Sequence, residues 1–242
     1  MTRRRFMADL VDGNRAALLG SHAAHLSRVL RVRPGQQFDI AVNGAVRLGA
    51  VTRVEDERVE FELGDEIAAA PILPITLFLS IVRFERLEWA LEKCVELGAA
   101  RVVPLIAART DPHLAAAAPK RTERWQRLLR QAAEQARRSA PPQLASPVRL
   151  RREELCVPGL RIVLAETART DLLRHVLQPA PRENGPSFPS LSLAVGPEGG
   201  WTEAELKLFA DCGWTPASLG PNILRTETAA LAALAIAMSL AG

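Results

Sequence analysis

The amino-acid sequence predicts an α/β protein in two parts, a small β-rich unit followed by a larger domain around a mainly parallel sheet. Three observations carry this. Residues 37–63 hold short β-branched runs, two of them separated by Asn43-Gly44. From Ile75 onward, short apolar runs alternate with longer stretches of helical spacing, the pattern of an α/β domain. Between the two regimes Gly64–Pro74, with its alanines and two prolines, reads as a linker. A chain of 242 residues is long enough for two such domains.

In the first part, Ser21–Leu30 has the spacing of a short helix with Ser21 as its cap. Gln37–Val42, Val46–Val54 and Arg58–Leu63 are the expected strands. Asn43-Gly44 is a hairpin turn, because both central residues of the favoured two-residue turn need positive φ. In the second part, Ile75–Val82, Arg101–Ala107, Leu160–Leu164 and Leu191–Val195 read as buried strands. Between and after them, Arg86–Leu97 (ended by Gly98), Lys120–Arg138, Thr170–Leu177, Thr202–Cys212 and Thr226–Leu240 read as helices. Thr202-x-x-Glu205 is a capping box. Pro179–Pro189 is a polar, Pro-rich loop. The uniformly apolar run Ala229–Ile236 needs cover on several sides, from the core or from a second subunit.

Hydrophobic residues make up 48% and charged residues 24%, which excludes a disordered chain. The net charge of +4 is unevenly spread. Residues 120–152 hold ten Lys/Arg against two Asp/Glu, residues 1–35 seven against two, and the rest is acidic on balance. Two basic stretches suggest a polyanionic partner. Along Lys120–Arg138, Trp125, Leu128, Leu129, Ala132 and Ala136 form an apolar stripe. Arg124, Arg127, Gln131, Glu134 and Arg138 fall on another face, with Arg130 and Arg137 beside them. Few acidic residues offset this row, so it fits RNA phosphate, and a solvated ion-paired face is the alternative.

Cys94, Cys156 and Cys212 are widely spaced and odd in number, so neither a disulfide framework nor a zinc site is expected. His22, His25, His113 and His175 lack ligand spacing, so no metal is expected. Arg3, Arg4 and Arg5 precede no apolar core of signal-peptide length, and no apolar run reaches membrane-spanning length. A cytoplasmic protein is the expectation. No G-x-S-x-G elbow supports a hydrolase.

Two loops concentrate the candidate chemistry. Val195-Gly196-Pro197-Glu198-Gly199-Gly200-Trp201 joins a buried strand to a capped helix, and its glycines admit close backbone approach to a ligand. It lacks the endings of a P-loop or a dinucleotide fingerprint. Glu198 disfavours phosphate there, so a neutral or cationic ligand such as a methylsulfonium cofactor fits better; a tight turn is the alternative. In Leu219-Gly220-Pro221-Asn222-Ile223-Leu224-Arg225-Thr226-Glu227-Thr228-Ala229, a Gly-Pro turn precedes a cation and a candidate helix cap, Thr226. A surface ion pair of Arg225 with Glu227 is the competing account.

Together these loops resemble the bacterial ribosomal RNA small-subunit methyltransferase E family. Further matches are Glu92-Lys93-Cys94-Val95-Glu96-Leu97-Gly98, Arg124-Trp125 with Ala133-Glu134-Gln135, Arg138 and Pro142, and Arg5-Phe6 with His25-Leu26, Val29, Leu30 and Arg31. Arg83-Phe84 stands where the family commonly has Lys-Gly, and Ala136 where Ser is common. The resemblance implies a PUA-like β-barrel over residues 1–70 and a SPOUT domain with a deep trefoil knot over 74–242. It implies S-adenosylmethionine-dependent methylation of N3 of uridine 1498 in 16S rRNA by a homodimer, with the 30S subunit as partner. By the same resemblance, Leu164, Glu166, Thr167, Val195, Gly196, Glu198, Gly199, Gly200, Leu219, Gly220, Ile223, Leu224, Thr226, Thr228 and Ala229 would bind the cofactor. Arg3, Arg4, Arg5, Arg28, Arg31, Arg124 and Arg127 would bind RNA. Arg225, then Arg138, are the candidates for stabilising charge on the uracil, and Glu134 or Glu198 for the base. Reaching N3 favours an unpaired nucleotide. An RNA-binding assembly factor without catalysis, or an enzyme acting on another base or a ribose, are the rival readings.

Overall fold

The computed structural model describes residues 4–69, 72–168, 171–177 and 190–241. Arg3, Thr170 and the loop Pro179–Pro189 lie outside the described residues. The chain forms two compact units, residues 1–71 with 133–141, and residues 72–132 with 142–242.

The first unit holds β1 (Arg5–Met7), β2 (Leu10–Asp12), β3 (Arg15–Leu19), α1 (Gly20–Ala24), β4 (Gln37–Val42), β5 (Ala45–Val54) and β6 (Arg58–Ile67). They form a mixed sheet in the order β1-β4-β5-β6-β3-β2, parallel only between β1 and β4. Val42 pairs with Ala45 across the turn, with φ of 51° at Asn43 and 86° at Gly44. The expected hairpin is therefore in place. In β6 the alternate residues Val59, Phe61 and Leu63 are buried, and they pack with Leu18, Leu26 and Ile40.

Three expectations need correction here. Gly64–Ile67, read as linker, continues β6, with Ile67 paired to Val46. The Ser21–Leu30 helix is one α turn followed by a π turn over His25–Val29, where the Leu30 N–H donates to the His25 carbonyl at 3.0 Å. Ser21 is not its cap: the helix starts directly off β3, Leu19 occupies the cap position and no side chain caps it.

The second unit holds β7 (Ile75–Ser80), α2 (Phe84–Glu96), β8 (Arg101–Ile106), α3 (Pro112–Ala117), α4 (Thr122–Gln135), β9 (Gln143–Leu144), β10 (Val148–Arg149) and α5 (Arg152–Leu155). It continues through β11 (Leu160–Leu164), α6 (Leu173–Val176), β12 (Leu191–Val195), α7 (Glu203–Asp211), β13 (Thr215–Ala217) and α8 (Thr226–Ala241). The sheet runs β10-β8-β7-β12-β11-β13, with β9 also on β8, and every pairing is parallel. All five residues of β12 are buried, as expected of a strand covered on both faces. Phe78, Val103, Leu105, Phe209 and Trp214 join its Ala194 in one core cluster.

Helix ends differ from expectation. The last turn of α4 groups with the first unit. It stops at Gln135 because Arg137 is left-handed, φ 53°. The Arg137 N–H then donates to Glu134 (3.0 Å) and the Arg138 N–H to Ala133 (2.9 Å), a Schellman closure. Arg138 and Ala136 thus leave the rows assigned to them. Lys120 and Arg121 belong to a preceding 3₁₀ turn. Among the described residues of the expected Thr170–Leu177 helix, 171–177, only Leu173–Val176 is helical. In α8, Ala235 is exposed and Leu231, Ala232 and Ile236 are half-buried, so its apolar run is covered on part of its circumference.

The cysteines are less dispersed than their spacing suggests. Cys156 and Cys212, both free thiols, have their Sγ atoms 3.1 Å apart. Among the described residues, no helix is long and apolar enough to cross a membrane.

Candidate functional site

Strands β12, β11 and β13 are neighbours, so the loops that leave their C-terminal ends stand side by side. That is where α/β sheets place their ligands. These loops, with parts of α6 and α8, enclose a cavity of about 880 Å³, within the usual range for small-molecule sites.

The loop after β12 is shaped by bonds at each end. The Gly200 N–H donates to the Pro197 carbonyl at 2.8 Å, closing the turn. Thr202 caps α7, and Glu205 completes the capping box by accepting from the Thr202 N–H at 2.8 Å. The same Glu205, almost fully buried, also accepts from the Ala108 N–H at 2.7 Å and so anchors the segment that carries Arg109. Arg109 in turn donates to the Gly199 carbonyl. Trp201 Nε1 donates to the Leu164 carbonyl at 2.9 Å, tying the loop to the end of β11. A Cβ on Gly196 would meet the Trp201 ring at 3.1 Å, so a side chain there would press on the indole.

The loop after β13 turns through Gly220, whose φ of 134° suits glycine and few other residues. Ser218 stabilises that turn by accepting from the Gly220 N–H at 3.2 Å. The Leu173 N–H donates to the Ser218 carbonyl at 2.8 Å, joining α6 to the loop. Thr226, expected as a helix cap, does something else. Its buried hydroxyl donates to the Gly196 carbonyl at 2.8 Å, fastening the start of α8 to the loop after β12.

Most of the expected cofactor residues converge on this cavity. Leu164, Glu166 and Thr167 line it from β11 and the loop behind it. Val195, Gly196, Glu198, Gly199 and Gly200 line it from β12, and Leu219, Gly220, Ile223, Leu224, Thr226 and Ala229 from β13 and α8. Thr228 does not line it: α8 turns that side chain out to solvent. Leu172, Arg174, Arg109 and Trp201 are among the further wall residues that were not anticipated as ligand-binding groups.

Charge pairing also departs from expectation. Glu198 is paired with Arg86, on the first turn of α2, so it is not an isolated anion. Arg86 also lies 3.9 Å from the buried Glu227; it is Arg86, not Arg225, that pairs with this carboxylate. Arg225 is exposed and lies outside the cavity lining. Glu134 and Arg138 belong to the first unit. There Glu134 accepts from the Met7 N–H at 3.1 Å, and burial pulls the Arg138 guanidinium below the usual arginine range.

The expected RNA-binding arginines divide by their surroundings. Arg4, Arg31 and Arg127 are exposed. Arg28 is exposed but paired with Asp56 at 3.1 Å. Arg5 is largely buried, donating to the Arg137 carbonyl and lying 3.6 Å from Asp39, so it is a structural cation. Arg124 has a partner that its own helix does not supply: both of its donors reach Glu88 on α2, at 2.9 and 2.8 Å. The hydrogen bond from Arg124 holds the Glu88 carboxyl below its ordinary range, and Arg121 at 3.6 Å adds to this. Phe84 packs against Trp125 with ring planes tilted by 60°, and the Arg121 guanidinium lies 4.8 Å above its ring. Among the described residues, no three His, Cys, Asp or Glu gather to hold a metal ion.

Residues 69–238 match the RNA methyltransferase domain family. The ribosomal RNA small subunit methyltransferase E of Synechocystis sp. is 34% identical over 220 residues, covering 87% of this chain and 68% of that protein. The protein of the same name from Mycobacterium bovis is 32% identical over 229 residues, 90% of this chain and 84% of its own. A crystal structure of the Neisseria gonorrhoeae ribosomal RNA small subunit methyltransferase E, bound to S-adenosyl methionine, matches over 98% of each chain at 32% identity and a TM-score of 0.81. With the glycine loops around one cavity and this agreement along nearly its whole length, the chain belongs to the ribosomal RNA small subunit methyltransferase E family.

Proposed function

We propose that this protein methylates N3 of uridine 1498 in 16S rRNA, with S-adenosylmethionine as methyl donor and the 30S subunit as the partner that presents the base. The observation that carries the reading is the cavity at the ends of β11, β12 and β13, with fourteen of the family-implied positions in its wall. Its residues fit this cofactor. Leu164, Val195, Leu172 and Leu219 offer apolar contact for a base, and the glycines in the wall admit close backbone approach to a ligand. When bound, the cofactor supplies a methyl group on a sulfonium.

The protein's part is to position the uracil and to manage its proton. Uridine N3 is a poor nucleophile until its proton leaves, and the resulting charge spreads onto the neighbouring carbonyl oxygens. Arg225, exposed at the end of the loop after β13, is the proposed donor to that charge. Arg138 is the second candidate, and Glu198 the candidate base that lines the cavity; Glu134 already accepts a backbone hydrogen bond. Arg4, Arg31 and Arg127 are the proposed phosphate contacts, with Arg28 and Arg124 available where RNA displaces their carboxylate partners.

The same reading assigns residues 1–70 to a PUA-like β-barrel and 74–242 to a SPOUT domain threaded into a deep trefoil knot. It makes the protein a cytoplasmic homodimer, to which the half-buried apolar side of α8 lends support. Light scattering at micromolar concentration checks the dimer; a monomer overturns it.

The deciding experiment is methyl transfer to 30S particles, with mass mapping of the product rRNA and calorimetry with S-adenosylmethionine. Methylation at another base or at a ribose redirects the target. Absence of cofactor binding supports an assembly factor instead. Arg225→Ala should lower kcat by about 10²–10³ while RNA and cofactor affinities change far less, as expected for a donor used in the transition state. Arg225→Lys should restore only part, lacking the planar fork. If Arg225→Ala weakens RNA binding and turns over normally at saturation, Arg225 positions RNA and the chemistry lies elsewhere.

A further inference from the structure

Arg86 stands at the meeting point of three elements. It lies on the first turn of α2, whose next residue, Leu87, is fully buried and fixes the helix in the core. Its guanidinium pairs with Glu198, in the loop after β12, and lies 3.9 Å from Glu227, on the first turn of α8. Glu227 is 7% exposed, and its Oε2 has no hydrogen-bond partner. A buried carboxylate left in that state relies on a nearby cation, and the cation in reach is Arg86. Glu198 needs the same cation, because without it two carboxylates would share one small region as like charges.

We infer that Arg86 is a positioning residue for the cofactor site, one guanidinium shared by Glu198 and Glu227 that holds the loop after β12 closed over the cavity. The inference rests on the reading of that cavity as an S-adenosylmethionine site. Beside the Trp201 bond to Leu164, three tethers then fix residues 196–199 of this loop. The Thr226 hydroxyl holds Gly196, Arg109 holds Gly199, and Arg86 holds the one acidic side chain between them. The first two tethers grip backbone carbonyls. The third acts on an acidic side chain that itself lines the cavity, so it sets where the Glu198 charge sits relative to a bound sulfonium. Arg86 is not in the cavity wall and touches no ligand position; it acts through Glu198.

A double-mutant cycle on the full-length protein tests this, with cofactor affinity from calorimetry and KM and kcat from methyl transfer to 30S particles. Wild-type protein that gives no heat with S-adenosylmethionine would sink the reading of the cavity and is read first. Given wild-type binding, Arg86→Met should raise the cofactor Kd about tenfold, and raise KM for the cofactor more than it lowers kcat. In a Glu198→Gln background the same substitution should change Kd less than about twofold, because nothing is left for Arg86 to place. Adding Glu227→Gln to Arg86→Met should recover part of the affinity by removing the like-charge repulsion. Arg86→Lys keeps the charge without the planar fork and should fall between the wild type and Arg86→Met. Should Arg86→Met fail to fold, Arg86→Lys in the two backgrounds carries the same comparison. An unchanged Kd in a folded Arg86 variant overturns the inference. So does a loss that is as large in the Glu198→Gln background as in the wild type, since a purely structural arginine would lower the melting temperature in both.

Discussion

Gly199 and Gly220 both line the cavity, yet a side chain at each meets a different obstacle. A Cβ at Gly220 meets nothing within 4 Å, but its φ of 134° strains any L-residue. A Cβ at Gly199 would lie 3.1 Å from Cδ of Arg109, the flexible part of a long side chain. Gly220→Ala should therefore cost about 1–3 kcal/mol of stability or distort its turn, and weaken cofactor binding. Gly199→Ala should cost less, because Arg109 can yield. Thermal melts and calorimetry with S-adenosylmethionine compare the two; a larger loss at Gly199 would mean that Arg109 is rigidly held. Residues such as these were legible in the sequence because a turn and a capping box are local: Gly196 to Glu205 is a single strand-to-helix connection. Arg86 and Arg109 were not. They reach Glu198 and Gly199 from 112 and 90 positions away, by the order of the strands, and no local pattern encodes that.

At the scale of elements, α4 shows how a helix can be recognised while the role of its charges is misread. Its apolar stripe was plain from spacing, and Trp125 and Leu129 are buried as expected. Its end depended on the left-handed Arg137, a conformation that no Arg-rich sequence advertises. Its basic row looked unpaired because the balancing carboxylate, Glu88, lies on α2. Two predictions follow for this helix pair. Arg127→Ala should lower the slope of log affinity for RNA against log salt by about 0.7–0.9, one phosphate contact. Arg124→Ala should change it less, its guanidinium being already engaged by Glu88; equal changes would show that RNA displaces the ion pair. Glu88 also ties stability to acid. Its folded pKa lies below the ordinary 4.5, so its contribution is complete above that value and is lost as pH falls through the folded pKa. Arg124 is more than half exposed, so solvent screening keeps the effect small. Glu88→Gln should thus be less stable than wild type at pH 7 and converge with it as pH falls through the folded pKa of Glu88, as denaturant melts would register; a constant gap would assign its effect to packing.

Over the whole molecule, the alternation of apolar runs and helices made the parallel sheet legible, and Asn43-Gly44 the hairpin beside it. Strands β1, β2 and β3 escaped notice because they are three to five residues long and mixed in polarity; they exist through pairing, β1 with β4, β3 with β6 and β2 with β3. Distance along the chain misled in the other direction for the thiols. Cys156 is exposed just beyond α5, and Cys212 ends α7, yet their sulfurs touch. The covalent topology of this protein is therefore expected to follow the redox poise around it. Under a mild thiol oxidant the pair should join, closing a ring that spans β11, β12 and α7, whose restriction of the unfolded chain is worth about 4 kcal/mol in the chain-entropy account. Burial pushes the Cys94 thiol up to about 12 and keeps it out of this exchange. Intact mass after diamide should fall by about two hydrogens per chain, with a higher melting temperature, and dithiothreitol should reverse both. Cys156→Ser should show neither change. If the wild type keeps its full mass, the two sulfurs meet without the geometry to bond, and the fold is the same molecule on either side of an oxidising boundary.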